Sequence, residues 1–168
     1  MVTIDRTDQQ ILALLSKNAR MSNKEIAHDV GLAPSSVHER LKRLQANNLL
    51  IGAHATVDLE KLGLSLKALL FVQLAEHKKK ELSRFLEELR TIPEVRAGWM
   101  ISGRFDALVE VVAKDTHHLH QVVVEKFSIK EEVHRIETSI IFENMIQSDL
   151  SQTLDLSCIS QAKNAPKS

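Results

Sequence analysis

The chain has 168 residues, enough for one compact domain or two small ones. Its 22 Lys plus Arg balance 22 Asp plus Glu, which excludes a globally basic nucleic-acid binder: any positive surface must be local. The single cysteine, Cys158, excludes an internal disulfide framework and fits a reducing cytoplasm. No apolar run is long enough to predict a membrane span.

The opening stretch, MVTIDRTDQQ, lacks the basic-then-apolar layout of a signal peptide. In TDQQILALLSKN, the residues Ile11, Leu12 and Leu15 recur at helical spacing. SNKEIAHDVGL places Glu25 three positions after Ser22, a capping-box pattern, with Ile26, Ala27 and Val30 as its core face. Gly31 ends that helix, where a positive φ is cheap. Pro34 suits the first turn of the next helix, which runs to about Asn47, and Asn47-Asn48 can supply a left-handed stop. LLIGAHATVD alternates like a strand or small wing, and LEKLGLS with Gly63 reads as a turn.

From Lys67 the texture changes. KALLFVQLAE is strand-like. KKKELSRFLEELRTIP is an amphipathic helix with Leu82, Phe85, Leu86 and Leu89 on one face and Pro93 beyond its end. EVRAGWMIS and DALVEVVAK read as strands joined by GRF, THHLHQVVVEKFS as a second helix, and EEVHRIETSIIFE as a last strand. The order β-α-β-β-α-β is the split pattern of a ferredoxin-like sheet. The fold class expected is therefore α+β: an N-terminal, winged helix-turn-helix domain over residues 1–52, a linker strand or wing over 53–66, a βαββαβ domain over 67–143 and a polar C-terminal extension over 144–168.

The helix PSSVHERLKRLQ carries the first functional signal. At about 100° per residue, Val37, Leu41 and Leu44 form a buried stripe. Ser35, Glu39, Lys42 and Ala46 fall opposite, and His38 and Arg43 flank that outer face. Arg40 sits nearer the buried side, with two roles open to it: supporting the fold or reaching a phosphate. Short side chains at the start (Ser35, Ser36) let a helix approach base edges, while Lys42 and Arg43 can hold phosphates. The preceding helix and the short turn GLA complete a helix-turn-helix pattern.

The stretch IDRTDQQILALLSKNARMSNKEIAHDVGLAPSSVHERLKRLQANNLLIGAHATVDLEKLGL resembles the DNA-binding half of the Lrp/AsnC family, the feast/famine regulators. The resemblance continues through SGRFD and RIETSI and covers roughly residues 4–143. It implies double-stranded operator DNA as partner, with Ser35, Ser36, His38, Glu39, Arg40, Lys42 and Arg43 as the DNA-binding set. It also implies a sheet domain that forms homodimers, then tetramers or octamers, and takes an amino-acid effector. Carried over, Gly103, Arg104, Phe105 and Asp106 would shape the effector pocket, with the last strand contributing Ile136 and Thr138. Three positions depart from the family. Ala33 replaces the serine that often caps the recognition helix, Asn48 stands where glycine is common after it, and Ile136 replaces the first threonine of a frequent T-x-T.

From the residues alone, SGRFD reads as a hairpin turn in which Asp106 makes a local hydrogen bond. ALLFVQL, VVA and SIIF are apolar enough that the sheet face left bare by the two helices is expected to be apolar and buried in a dimer. His117, His118, His120 and His134 lack the convergent spacing of metal ligands, so no metal or cofactor is expected. No phosphate loop, HExxH or nucleophile elbow occurs, and no enzyme is expected. Two alternatives share the fold: a siroheme-decarboxylase-like enzyme, which needs clustered histidines and arginines, and a metabolite-binding module that has lost DNA affinity. The dispersed histidines weigh against the first; Lys42 and Arg43 weigh against the second.

Overall fold

The computed structural model describes residues 3–75, 79–146 and 150, and the chain divides into two compact units. The first runs to Ala55 and takes in the described residues from Met145 onward; the second spans Thr56–Asn144.

Three helices build the first unit: α1 (Arg6–Lys17), α2 (Asn23–Val30) and α3 (Pro34–Ala46). Local chemistry sets their ends. Asp5 and Asp8 form a capping box at the start of α1, as do Ser22 and Glu25 at the start of α2, each satisfying backbone N–H groups that a first turn leaves over. Gly31 takes φ +68° and closes α2. Asn48, at φ +54°, is the left-handed stop after α3. Pro34 opens α3, but Ala33 offers no side-chain cap. Ile11, Ile26, Ala27, Val37 and Leu44 form the buried centre, with Leu12, Leu15, Met21, Val30 and Leu41 packed around it.

A polar interaction joins the ends of this small core. Asp8 is fully buried. Arg40 donates to Asp5 Oδ2 and Asp8 Oδ1, both at 2.7 Å, and Arg43 donates to Asp8 Oδ2. Burial pushes the Asp5 carboxyl up, but the Asp8 backbone N–H and the Arg40 guanidinium outweigh it and hold it below the usual carboxylate value. The same contacts raise Arg40.

Within the stretch expected as a linker strand or wing, 53–66, residues 53–58 are exposed and irregular, followed by a 3₁₀ turn at Glu60–Leu62 that Gly63 closes at φ +82°. Alternation alone does not make a strand, and among the described residues this stretch has no neighbouring strand to take its backbone hydrogen bonds.

In the second unit, β1 (Leu66–Leu74), α4 (Lys79–Leu89), β2 (Val95–Met100), β3 (Ala107–Ala113), α5 (Thr116–Val122) and β4 (Val133–Ile141) give the βαββαβ order. The sheet order is β2-β3-β1-β4, with every pair antiparallel. Alternation along β1 sends Ala68, Leu70, Val72 and Leu74 into the core with Phe85 and Leu89 of α4, Leu119 and Val122 of α5, and Phe127. The Leu82 side chain lies outside the described residues. Gly98 lets α4 approach: a Cβ there would stand 3.0 Å from Leu89 Cδ1 and 3.5 Å from Leu86 Cδ2. The second helix departs from the regular one expected. After Val122 it widens into a π-turn, Val123–Ser128, which brings Phe127 fully into the core.

The bare face of the sheet is mixed rather than apolar. Register places Leu69, Phe71, Leu108, Val112 and Trp99 there, together with Lys67, Gln73, Glu110, Arg135 and Glu137. Runs that look apolar in sequence are divided between two faces by the period of two, so each face receives only half of them.

Replacing Asp8 with Ala is expected to destabilise the helical unit by about 3 kcal/mol, because it strips the buried partner from two guanidinium groups; urea unfolding would measure it. Followed against pH, the lowered Asp5 contributes stability that is present above its unfolded value near 3.8 and is lost as pH falls through the lower folded value. Ala33→Ser should add about 1 kcal/mol by capping α3, read in the same unfolding experiment.

Candidate nucleic-acid interface and effector loop

Helix α3 presents four different sectors. Val37 and Leu44 are buried against α1 and α2. Ser35, Ser36, His38, Glu39 and Lys42 are exposed. Lys42 Nζ lies 3.6 Å from Glu39 Oε1, a loose surface pair in which both side chains remain largely exposed. His38 Nδ1 lies 3.5 Å from Asn23 Nδ2 at the start of α2, which fixes the turn side of the helix pair. Leu41 and Gln45 form a further flank, facing the apolar residues of α1.

The remaining sector differs from the sequence expectation. Arg40 and Arg43 point to Asp5 and Asp8 of α1, with Arg40 about one quarter exposed and Arg43 about half. For Arg40, the observed contacts with Asp5 and Asp8 are those of the fold-supporting role. For Arg43, expected to hold a phosphate, the guanidinium is engaged by a buried carboxylate. Lys42 is left as the cation of the predicted set that projects from the outer face without a buried partner. Sequence spacing could not reveal this, since the partners are 32 and 35 residues away.

The loop Gly103–Asp106 sits between β2 and β3. Gly103 takes φ +123°, a conformation that a residue with a Cβ rarely adopts. Phe105 packs on Phe71, ring centroids 5.5 Å apart, and Arg104 lies over the Phe105 ring at 5.3 Å. Arg104 also donates to Glu137 Oε1 at 3.0 Å, which Arg135 meets at 2.8 Å. These side chains gather on the bare face of the sheet. Asp106 instead ties strands together: its Oδ2 accepts from the Leu74 N–H at 2.9 Å, and its own N–H donates to Val72 O. The bond reaches across the sheet, beside a register shift in β1 at Gln73/Leu74, and is not the local turn bond that the sequence suggested.

Ile136 and Thr138 are close to this loop along the backbone but face the other way. They pair with Val72 and Leu70, whose side chains are buried under the helices, and Ile136 packs against that core. The structure therefore brings Arg104 and Phe105 together with Phe71, Arg135 and Glu137, and puts Ile136 and Thr138 on the opposite face of β4. Glu137 and Arg135 were missed in the sequence; the signal was their place two apart on a strand beside the expected ligand positions.

His118 is held in a structural setting: its Nδ1 accepts from the Lys114 N–H at 3.2 Å and its Nε2 lies 3.5 Å from Glu94. Among the described residues, no group of three or more His, Cys, Asp or Glu could hold a metal ion, and no helix is long and apolar enough to cross a membrane.

Comparison with known proteins matches residues 4–45 to the AsnC-type helix-turn-helix domain and residues 67–150 to the Lrp/AsnC ligand binding domain. The chain is 34% identical over 142 residues to the HTH-type transcriptional regulator AldR of Mycolicibacterium smegmatis, covering 84% of this chain and 83% of the relative. It is 34% identical over 112 residues to the DNA-binding transcriptional activator DecR of Escherichia coli K12, covering 67% and 74%. Among solved structures, a Neisseria meningitidis transcriptional regulator in complex with L-Met superposes with a TM-score of 0.82 at 26% identity, over 90% of this chain and 100% of the other. AsnC of E. coli superposes at 0.77 and 25% identity, over 87% and 97%. With a helix-turn-helix whose outer face is polar, a βαββαβ sheet following it in the chain and both family domains matched in order, the chain belongs to the Lrp/AsnC family of DNA-binding transcriptional regulators.

Proposed function

We propose that this regulator reads operator DNA through the outer face of α3 and senses an amino acid, or a molecule of that chemistry, through its sheet domain. The observation that carries the DNA reading is the division of labour on α3. Ser35, Ser36, His38, Glu39 and Lys42 are exposed for contact, while Arg40 and Arg43 hold the helix to α1. Short polar side chains at the start of a recognition helix can reach base edges, and a lysine on the same face can hold a phosphate. Arg43 joins the phosphate contacts only if it leaves Asp8, so its contribution to affinity is net of that exchange. The protein works where the DNA is, in the cytoplasm, and its role is regulatory rather than catalytic.

The effector reading rests on the Gly103–Asp106 loop and on the L-Met complex of the Neisseria relative. Arg104 offers a cation to a ligand carboxylate and Glu137 an anion to an ammonium group, each freed from the other on binding. The mixed face of the sheet, with Phe71, Trp99 and Leu108 among charged groups, supports burial against a second copy, and tetramers or octamers can build from such dimers. A ligand that prefers one assembly then shifts which pairs of operator half-sites can be spanned.

Two measurements test this reading. Lys42→Ala is expected to weaken binding to all DNA sequences alike and to lower the slope of log K against log salt by about 1; an unchanged slope removes Lys42 from the phosphate contacts. Light scattering after size exclusion, across a panel of amino acids, should show one class that changes the oligomer distribution. A distribution that stays fixed, together with unchanged DNA affinity, would overturn effector sensing while leaving the DNA reading intact.

A further inference from the structure

An apolar groove of about 430 Å³ runs along the helical unit, bounded by Leu12 and Leu15 of α1, Leu41 of α3, and Leu50 and Ile51 beyond it. Ile51 is 91% exposed, so one wall of the groove stands largely in water. A continuous apolar hollow of this kind marks a surface built to be covered. Its margin already holds a piece of the same chain: Leu150 lines the groove, and its N–H donates to Ser16 Oγ of α1 at 3.0 Å. Met145 and Ile146, just before it, are each 83% exposed.

We propose that this groove is the seat of the chain's own C-terminal segment, which enters it at Leu150 and continues through residues 151–160. Two observations favour this occupant. The entry point is fixed by a hydrogen bond to the groove's own helix. The residues that follow, SQTLDLSCIS, supply Leu154, Leu156 and Ile159 at short intervals, apolar side chains of the right kind for an apolar floor. Reach is ample: ten residues can extend about 33 Å, whereas α1, with 12 residues, is about 18 Å long. The seat leaves DNA contact free, because Leu41 and Gln45 stand about a quarter turn around α3 from Ser35, Glu39 and Lys42. Covering the groove thus fastens α1 to the far end of the recognition helix, opposite the flank held by Asp8.

Cys158 is the chain's single cysteine and lies within the proposed segment, so a nitroxide can be attached there in the full-length protein without engineering another position. Methyl NMR on that protein should show the Leu12, Leu15 and Leu41 resonances losing most of their intensity, restored when the nitroxide is reduced. The Leu69 and Leu108 methyls of the sheet should keep theirs. Leu156→Asp in the same labelled chain should abolish the loss. Loss confined to the sheet methyls, loss nowhere, or loss that survives Leu156→Asp would each overturn the proposal. A mixture of nitroxide-labelled chain with isotope-enriched unlabelled chain reads the other occupant: loss of the Leu12, Leu15 and Leu41 intensity in that mixture would assign the segment to a second copy and overturn the proposal.

Discussion

The helical unit depends on one buried carboxylate. Asp8 sits at zero exposure, and its two oxygens accept from Arg40 and Arg43. The hydrophobic centre beneath is small, five fully buried side chains with a ring of partly exposed ones. A core of that size fixes the separation of three helices but constrains their rotation weakly, since apolar contacts are not directional. The ion pairs are directional. They fix which way α3 is turned about its own axis, and that rotation decides which side chains face DNA. An isolated buried carboxylate would be costly, but Asp5 shares Arg40 with Asp8, and the capping box at the start of α1 adds the Asp5 N–H as a further donor to Asp8.

The sheet unit solves a different problem with a different device. Its core is larger, and among the described residues its buried side chains are apolar: β1 runs through the middle, and α4, α5 and the π-turn cover one face. One set of ion pairs joins α4 to the stretch just beyond the π-turn through Glu88 and Lys130, and another lies at the connection between β2 and β3 and on β4. There Arg104 is held twice, by the Phe105 ring and by Glu137, while Asp106 holds the end of β1. The loop is thus anchored at one end and occupied at the other by exchangeable surface ion pairs, which cost little to break. That is the combination expected of a segment that stays in place while its side chains change partners.

Local patterns made much of this legible. The Ser22–Glu25 capping box, Gly31, Pro34 and Asn48 are short-range signals, and they mark the helix ends where the structure has them, whereas the Asp5–Asp8 box at the start of α1 was missed. The outer face of α3 follows from periodicity alone. What escaped was long-range or depended on neighbours. The tie from Asp8 to Arg40 and Arg43 spans more than thirty residues, and an acid in a first helical turn ordinarily reads as a partner of the helix dipole. The alternation at residues 53–58 matches a strand, but a strand needs an adjacent backbone. The π-turn at Val123–Ser128 costs one extra residue in a helix whose apolar spacing still looks regular. The apolar bare face failed because composition was read by segment and not by alternate residue.

The position of β4 bears on how any ligand is recognised. Among the described residues only β1 pairs with it, so its other side is the rim of the sheet, with backbone N–H and C=O groups directed outward. Ile136 and Thr138 lie under this strand and Arg135, Glu137 and the Arg104–Phe105 pair lie over it. A single small molecule touching both sets has to wrap around the rim, where it meets main-chain groups that are the same whatever the side chains. Recognition there would read the parts common to all amino acids, and discrimination between them would fall to the side chains above and below. A change at residue 136 would then act through core packing, on the face of β4 opposite Arg104 and Glu137.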